Sequence, residues 1–118
     1  MVSNGELIDQ AASPYVGGSY KTYQLQAAAV AISDGVWVDM RFFRNHSIHV
    51  SGTFVGTVVI CGSDDLVQPL NTDHGTAMGT PITAPDFIRV DMPIRWVKAR
   101  VTAWTSGAIG AILHGVAP

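Results

Sequence analysis

The strongest constraint on the fold is the stretch 47–63, S-I-H-V-S-G-T-F-V-G-T-V-V-I-C-G-S, in which a glycine-containing turn separates two β-rich runs. In the first run Ile48 and Val50 alternate with polar residues, and in the second Val58 and Ile60 alternate with residues of the opposite face. A period of two is typical of strands that bury one face. We therefore expect a hairpin here, at the centre of a β-sandwich.

A second pair of β-rich runs occupies residues 93–113, P-I-R-W-V-K-A-R-V-T-A-W-T-S-G-A-I-G-A-I-L, around a Ser106-Gly107 turn. Its first run places small apolar residues at alternate positions, which is typical of a strand that packs on a core. Two hairpins joined by a spacer predict an all-β fold, an antiparallel β-sandwich or jelly-roll. The residues expected in its core are Val58, Ile60, Val97, Ala99 and Val101.

The remaining strands are predicted from weaker patterns. Residues 20–32 combine an Ala run that favours helix with Tyr, Thr, Val and Ile, which favour strand, and we interpret them as a strand. In the stretch 36–43, Trp37 is expected on one face of a strand and Val38 on the other. The Pro, Gly, Asn and Asp content of residues 64–86 is typical of a loop. Further strands are expected at 87–92 and, as short segments, at 67–70 and 77–78.

The amino-terminal residues 1–19 have a different composition, rich in Gly, Ser, Asn and Pro. The pairs Ser13-Pro14 and Gly17-Gly18 interrupt regular structure, so we expect an extended N-terminal arm followed by a β-sandwich domain at 20–118. The arm could contact a neighbouring molecule or pack on its own domain, and both alternatives stay open. Its candidate anchors for a partner are Leu7, Ile8 and Tyr15.

Composition limits what such a domain can do. Only 14% of the 118 residues are charged, where about 25% is usual, so we expect part of the apolar surface to meet other subunits. The net charge is -2 and Lys and Arg form no run, which disfavours nucleic acid as a partner. No stretch approaches the length of an apolar membrane span, and residues 1–6 lack a signal-peptide pattern. The lone Cys61 excludes an internal disulfide and is expected as a small core residue.

No catalytic or metal-binding motif stands out. The histidines do not have zinc-site spacing, and the acidic residues after the second run lack the alternation of a calcium loop. Nucleophile elbows, phosphate-binding loops and dinucleotide fingerprints are absent from the sequence. Carboxylates for glycoside hydrolysis would have to meet in space, and no motif points to them. We expect a non-enzymatic protein without metal or cofactor. The residues considered were His46, His49, His74, His114, Asp64, Asp65 and Asp73.

The strand at 95–104 carries an unusual face, with Trp96 and Trp104 on either side of Lys98 and Arg100. Three interpretations are open for it. Trp and Arg are enriched at subunit interfaces, and exposed indole rings also stack on sugars. The third is structural: the rings pack under loops, with the cationic side chains lying over them. Trp96, Arg100 and Trp104 are therefore candidates for partner contact.

Three segments together carry a resemblance to a known class of proteins. The series G-V-W-V-D-M-R-F-F (35–43), S-I-H-V-S-G-T-F-V-G-T-V-V-I-C-G-S-D-D (47–65) and P-I-R-W-V-K-A-R-V-T-A-W-T-S-G-A-I-G-A-I-L (93–113) resembles small β-sandwich virion proteins of tailed bacteriophages. The resemblance covers about half of the chain. Such proteins commonly have Asn-Asp-Gly and a Trp after the Gly-Ser, where this chain has Asp64-Asp65-Leu66-Val67.

The resemblance implies a virion structural protein of the capsid decoration or cement type. It implies a homo-oligomer, with a trimer preferred, that binds the major capsid protein and stabilises the shell. The expected location is the capsid surface, after assembly in the host cytoplasm. Similar strand patterns occur in tail-associated domains, so a carbohydrate-binding or host-recognition domain of a phage tail is the alternative.

Overall fold

The computed structural model describes residues 4–12, 19–40, 45–90 and 93–117, and the statements below refer to these ranges. They form nine β-strands and no helix. No helical segment in them could cross a membrane. The strands are β1 Leu7–Ala12, β2 Ser19–Ala29, β3 Val38–Asp39, β4 Asn45–Ser51, β5 Phe54–Ser63, β6 Thr76–Ile82, β7 Asp86–Val90, β8 Trp96–Gly107 and β9 Ile109–Ala117.

Two antiparallel sheets make up the fold. The first has the strand order β1-β2-β9-β4-β7, and the second has the order β3-β8-β5-β6. Neighbouring strands of both sheets pair in the antiparallel sense. The predicted all-β sandwich is confirmed.

The core lies between the sheets and is built from the alternating apolar residues that the sequence pattern predicts. Ile48 and Val50 of β4 face it from one sheet, and Val58, Ile60 and Val101 face it from the other, all at most 2% exposed. Burying an aliphatic side chain of this size contributes roughly 1.5–3 kcal/mol to folding. The predicted core residues are confirmed, including Val97 and Ala99.

The two predicted hairpins are wrong in their pairing. β4 pairs with β7 and β9 of the first sheet, whereas β5 pairs with β6 and β8 of the second. The turn at Gly52 therefore carries the chain from one sheet to the other, and the turn at Gly107 does the same between β8 and β9. Both glycines have positive φ, and a Cβ would lie 2.2 Å from the Ala108 oxygen at Gly52 and 2.0 Å from the Thr53 oxygen at Gly107. Each crossover turn thus packs directly against the backbone of the other, and this close approach requires glycine.

The strands predicted from weaker patterns have mixed outcomes. β2 confirms a strand over most of 20–32, although it ends at Ala29. β6 includes 77–78 and β7 matches most of 87–92, but residues 67–70 form no strand. β3 is shorter than predicted, with two residues. The face assignment around it holds: Val38 packs in the central core, and Trp37 joins a separate cluster on the outer side of the second sheet.

The described part of the predicted arm packs on the chain's own domain. β1 pairs with β2, the Gln24 N–H donates to the Glu6 oxygen at 2.9 Å, and the Ala27 N–H donates to Asn4 Oδ1 at 2.7 Å. Leu7 is 42% exposed on this edge strand. The side chain of Ile8 and the whole of Tyr15 lie outside what the structure describes, so contact of these anchors with a partner stays a prediction.

Candidate functional site

The loop that joins β5 to β6, residues 64–75, is called the clamped loop below. It lies over the outer face of the second sheet and covers a small cluster of Trp37, Cys61 and Trp96. The Trp37 Nε1–H donates to the carbonyl oxygens of Leu70 and Asp73, both at 3.1 Å. The Trp96 Nε1–H donates to the Asp65 oxygen at 2.9 Å. Both indoles therefore hold the loop by its backbone.

Lys98 anchors the clamped loop by three hydrogen bonds. Its side chain is 0% exposed, and its Nζ donates to the Asn71 oxygen at 2.8 Å, the Asp73 oxygen at 2.9 Å and His74 Nδ1 at 2.8 Å. The ammonium also lies 4.8 Å from the centre of the Trp37 ring, within cation–π range. Its three N–H groups thus have three acceptors, which is the condition for keeping a charge away from water. Burial lowers the pKa of Lys98.

His74 adopts one tautomer because of this arrangement. An ammonium only donates hydrogen bonds, so the His74 Nδ1 must be the acceptor and the ring proton must lie on Nε2. The Nε2 atom is 3.8 Å from Asp34 Oδ1. The carboxylate therefore lies on the side of the ring that carries the proton and stabilises the tautomer that Lys98 needs.

The outward side of the clamped loop carries three large aliphatic side chains among exposed polar ones. Leu66, Val67 and Leu70 are 79%, 76% and 77% exposed, although Pro69 between them is buried. The backbone of this loop is held by hydrogen bonds to the sheet beneath it. Large aliphatic side chains that are exposed on such a loop are typical of a contact surface. The only sequence signal for it is the group of apolar residues in an otherwise polar loop, part of which, 67–70, is predicted above as a short strand.

The residues predicted for partner contact are dispersed. Trp96 is 6% exposed beneath the clamped loop, so the platform of two exposed indoles does not form, and the structural interpretation of this ring is confirmed. Trp104 is 37% exposed, and its Nε1–H donates to the Gly107 oxygen at 2.9 Å. Arg100 is half-buried between them, and Leu7 lies on the other sheet. Contact of these residues with a partner stays a prediction.

A second surface feature lies on the outer face of the first sheet and is called the outer-face pocket below. It is a depression of about 250 Å³ on the side of β2, β9, β4 and β7 that faces away from the core. At its rim, the rings of His49 and Phe87 stack with centroids 4.1 Å apart and planes inclined by 7°. Sequence reasoning missed this pair, because the two residues lie on strands that are distant in the chain. The lining residues are Thr22, Ser47, His49, Phe87, Ile112 and His114.

The described ranges hold no group of three or more His, Cys, Asp or Glu side chains placed to bind a metal ion. Cys61 is buried and unpaired, as predicted, and lies beside Lys98 in the pairing of β5 with β8. Burial raises the pKa of its thiol, even though Arg100 and Lys98 act in the opposite direction. A neutral buried thiol is a poor nucleophile, so this residue contributes packing rather than chemistry.

Comparison with known proteins gives a fold relationship. No protein-family model matches the chain, and no curated protein matches its sequence. The crystal structure of SPBc2 prophage-derived protein YomS is similar, with a TM-score of 0.69, 16% identity, and coverage of 89% of this chain and 99% of that one. Protein NMB1881 from Neisseria meningitidis matches with a TM-score of 0.36 and 12% identity, over 95% of this chain and 87% of that one. The likeness to YomS shows a shared fold.

Proposed function

We propose that this chain is a structural protein of a bacteriophage virion, a capsid decoration protein that attaches to the shell through the clamped loop. The observation that carries the proposal is the apolar surface of Leu66, Val67 and Leu70 on a loop fixed by Lys98, Trp37 and Trp96. The resemblance of three sequence segments to phage virion proteins supports it, as does the shared fold with a prophage-derived protein.

A fixed loop is well suited to attachment. Binding normally orders flexible segments, and this costs roughly 1–2 kcal/mol per residue of backbone. In the clamped loop the buried ammonium and the two indoles have already fixed the backbone before any partner arrives. The free energy gained by burying the three aliphatic side chains can then go into binding.

The magnitude of this gain favours an oligomer. Full burial of three such side chains gives about 4.5–9 kcal/mol, whereas association costs about 4–15 kcal/mol in lost translational and rotational freedom. One loop alone would therefore bind weakly. A homotrimer would present three loops to the shell, and the second and third contacts would be intramolecular. This is the reason to retain the trimer and the major capsid protein as the proposed partners, at the capsid surface.

The test compares two triple variants on shells that lack this chain. The first replaces Leu66, Val67 and Leu70 with Ser, and the control makes the same change at Val30, Ile32 and Val55, which are 62%, 67% and 58% exposed elsewhere. Both sets are already solvated, so both variants should fold. We expect the loop variant to lose at least about tenfold in affinity, which is 1.4 kcal/mol, while the control binds as wild type.

Two results would overturn the proposal. If the loop variant occupies the shells as fully as the wild type, the clamped loop is not the attachment surface. If mass spectrometry of purified particles of the phage that encodes this chain does not detect it, the chain is not a virion protein at all. The sugar-binding alternative, as predicted at Trp96 and Trp104, is weakened because the buried Trp96 cannot stack on a ligand.

A further inference from the structure

The outer-face pocket has two chemically different rows, fixed by the register of the first sheet. In one row Thr22 lies opposite His114, which lies opposite Ser47. In the next, Ile112 lies opposite His49, which lies opposite Phe87. A row of hydroxyl and imidazole groups therefore runs beside a row of aliphatic and aromatic groups.

One member of the apolar row is exposed to an unusual degree. Phe87 is 71% exposed although it stacks on His49, and burial of a Phe ring would normally be favourable. The stack covers one face of the Phe87 ring, and the exposed remainder of that ring is available for another contact. Both strands are otherwise regular, with five paired positions between β4 and β7, so the backbone under the two rings is held by the sheet.

The polar row is already ordered. Thr22 Oγ1 lies 2.9 Å from His114 Nδ1, within hydrogen-bond distance, which fixes the orientation of both side chains. None of the six lining residues carries a formal charge when His is neutral. The same row continues to Arg89, which lies opposite Ser47, so the lining offers neutral hydrogen-bonding groups with a guanidinium at the next position. Hydroxyl, imidazole and guanidinium groups all form hydrogen bonds with the hydroxyls of a polar ligand.

We propose that the outer-face pocket binds a pyranose sugar. A pyranose has a face of C–H groups, which packs on aromatic rings, and a rim of hydroxyls, which pair with hydroxyl and imidazole groups. The two rows match these two sides, and the volume of about 250 Å³ suits a single sugar unit. The pocket and the clamped loop lie on different sheets, so this proposal is independent of attachment to a capsid.

An NMR titration tests the proposal directly. The full chain, labelled with ¹³C at Ile δ1 methyls and His ring carbons, is titrated with the methyl pyranosides of glucose, galactose and N-acetylglucosamine. A dissociation constant near 1 mM corresponds to about -4 kcal/mol, so concentrations up to tens of millimolar are needed. We expect saturable shifts at Ile112 and at the rings of His49 and His114. The methyls of Ile48 and Ile109, which are 0% exposed in the core, should not move.

The variant Phe87→Ala should weaken binding at least tenfold. Its control is Val55→Ala, which removes an exposed side chain from the second sheet and should titrate as wild type. Ser47→Ala, which changes only the polar row, should weaken binding without altering the spectrum of the core methyls. The proposal is overturned if none of the three glycosides shifts Ile112, or if Phe87→Ala titrates like the wild type.

Discussion

Replacing Lys98 with Met should loosen the clamped loop and leave the sandwich folded. Methionine is unbranched and of similar length, so it can fill the space of the lysine stem. It cannot donate to the Asn71 oxygen, the Asp73 oxygen or His74 Nδ1, which all accept from Nζ in the wild type.

The three lost hydrogen bonds are not equivalent. The Asp73 oxygen keeps the Trp37 indole as a donor, and His74 is partly exposed and can bond to water. The Asn71 oxygen loses its ammonium donor, and because Asn71 is exposed, water can replace that donor in part. A hydrogen bond to a charged group contributes about 1.5–3 kcal/mol. The wild-type ammonium itself is held at a desolvation cost, which its lowered pKa reflects, so the other losses are partly offset. We therefore expect loop opening to become easier by about 1–3 kcal/mol.

Hydrogen exchange at the three indole N–H groups measures this change locally. Trp37 and Trp96 donate to the clamped loop, whereas Trp104 donates to Gly107 at the other end of β8. At 1.36 kcal/mol per factor of ten, the Trp37 and Trp96 indoles should exchange roughly 5- to 150-fold faster in Lys98→Met. The Trp104 indole should be unaffected, and Lys21→Met, at the other lysine of the chain, should change none of the three.

Unchanged exchange at Trp37 and Trp96 would show that Lys98 does not hold the loop. Equal acceleration at all three indoles would show that the substitution destabilises the whole sandwich. Either result would refute the proposal that Lys98 holds the clamped loop without supporting the rest of the sandwich.

Three further predictions concern the sandwich itself. Gly107→Ala should destabilise the sandwich by more than about 2 kcal/mol in urea unfolding, because a positive φ costs about 1–2 kcal/mol and the new Cβ would meet the Thr53 oxygen. The control Gly79→Ala has a positive φ but open space around it, so it should show only the cost of the φ angle. Val101→Asp should cost about 4 kcal/mol or more, since it places an unpaired carboxylate in the core, and an unchanged melting temperature would contradict the core assignment. Burial raises the pKa of the Cys61 thiol above its ordinary value of 9.0. The stability that depends on the protonated thiol is therefore fully present below that pH and is lost as the pH rises above it. The free energy of unfolding of Cys61→Ala should lack this part of the decline at alkaline pH.

The sequence by itself determined most of the strands and their inward residues, although it did not predict β1 as a strand and predicted one at 67–70 that does not form. Alternation at Ile48, Val50, Val58 and Ile60 is a local property, because successive side chains of a strand point to opposite faces whatever the strand pairs with. The same alternation identified Val101 as a core residue, and the structure buries it.

Only the tertiary structure decided which strands pair. A glycine turn between two alternating runs is compatible with a hairpin in one sheet and with a crossover between two sheets. At Gly52 and Gly107 the crossovers form because each turn packs on the other, a contact between segments more than fifty positions apart in the chain. Strand pairing depends on such distant contacts, and a local pattern does not contain them.

The same limit applies to the candidate sites. Alternation places Trp96 and Lys98 on the face opposite the core, and this is correct. It cannot show that residues 64–75 fold back over that face, because the fold-back depends on the ammonium and two indoles meeting loop carbonyls that lie about 25 to 36 positions away. The exposure of Leu66, Val67 and Leu70 follows from this fold-back. The backbone of the loop bonds to the sheet beneath it, so these aliphatic side chains point away from the sheet into solvent.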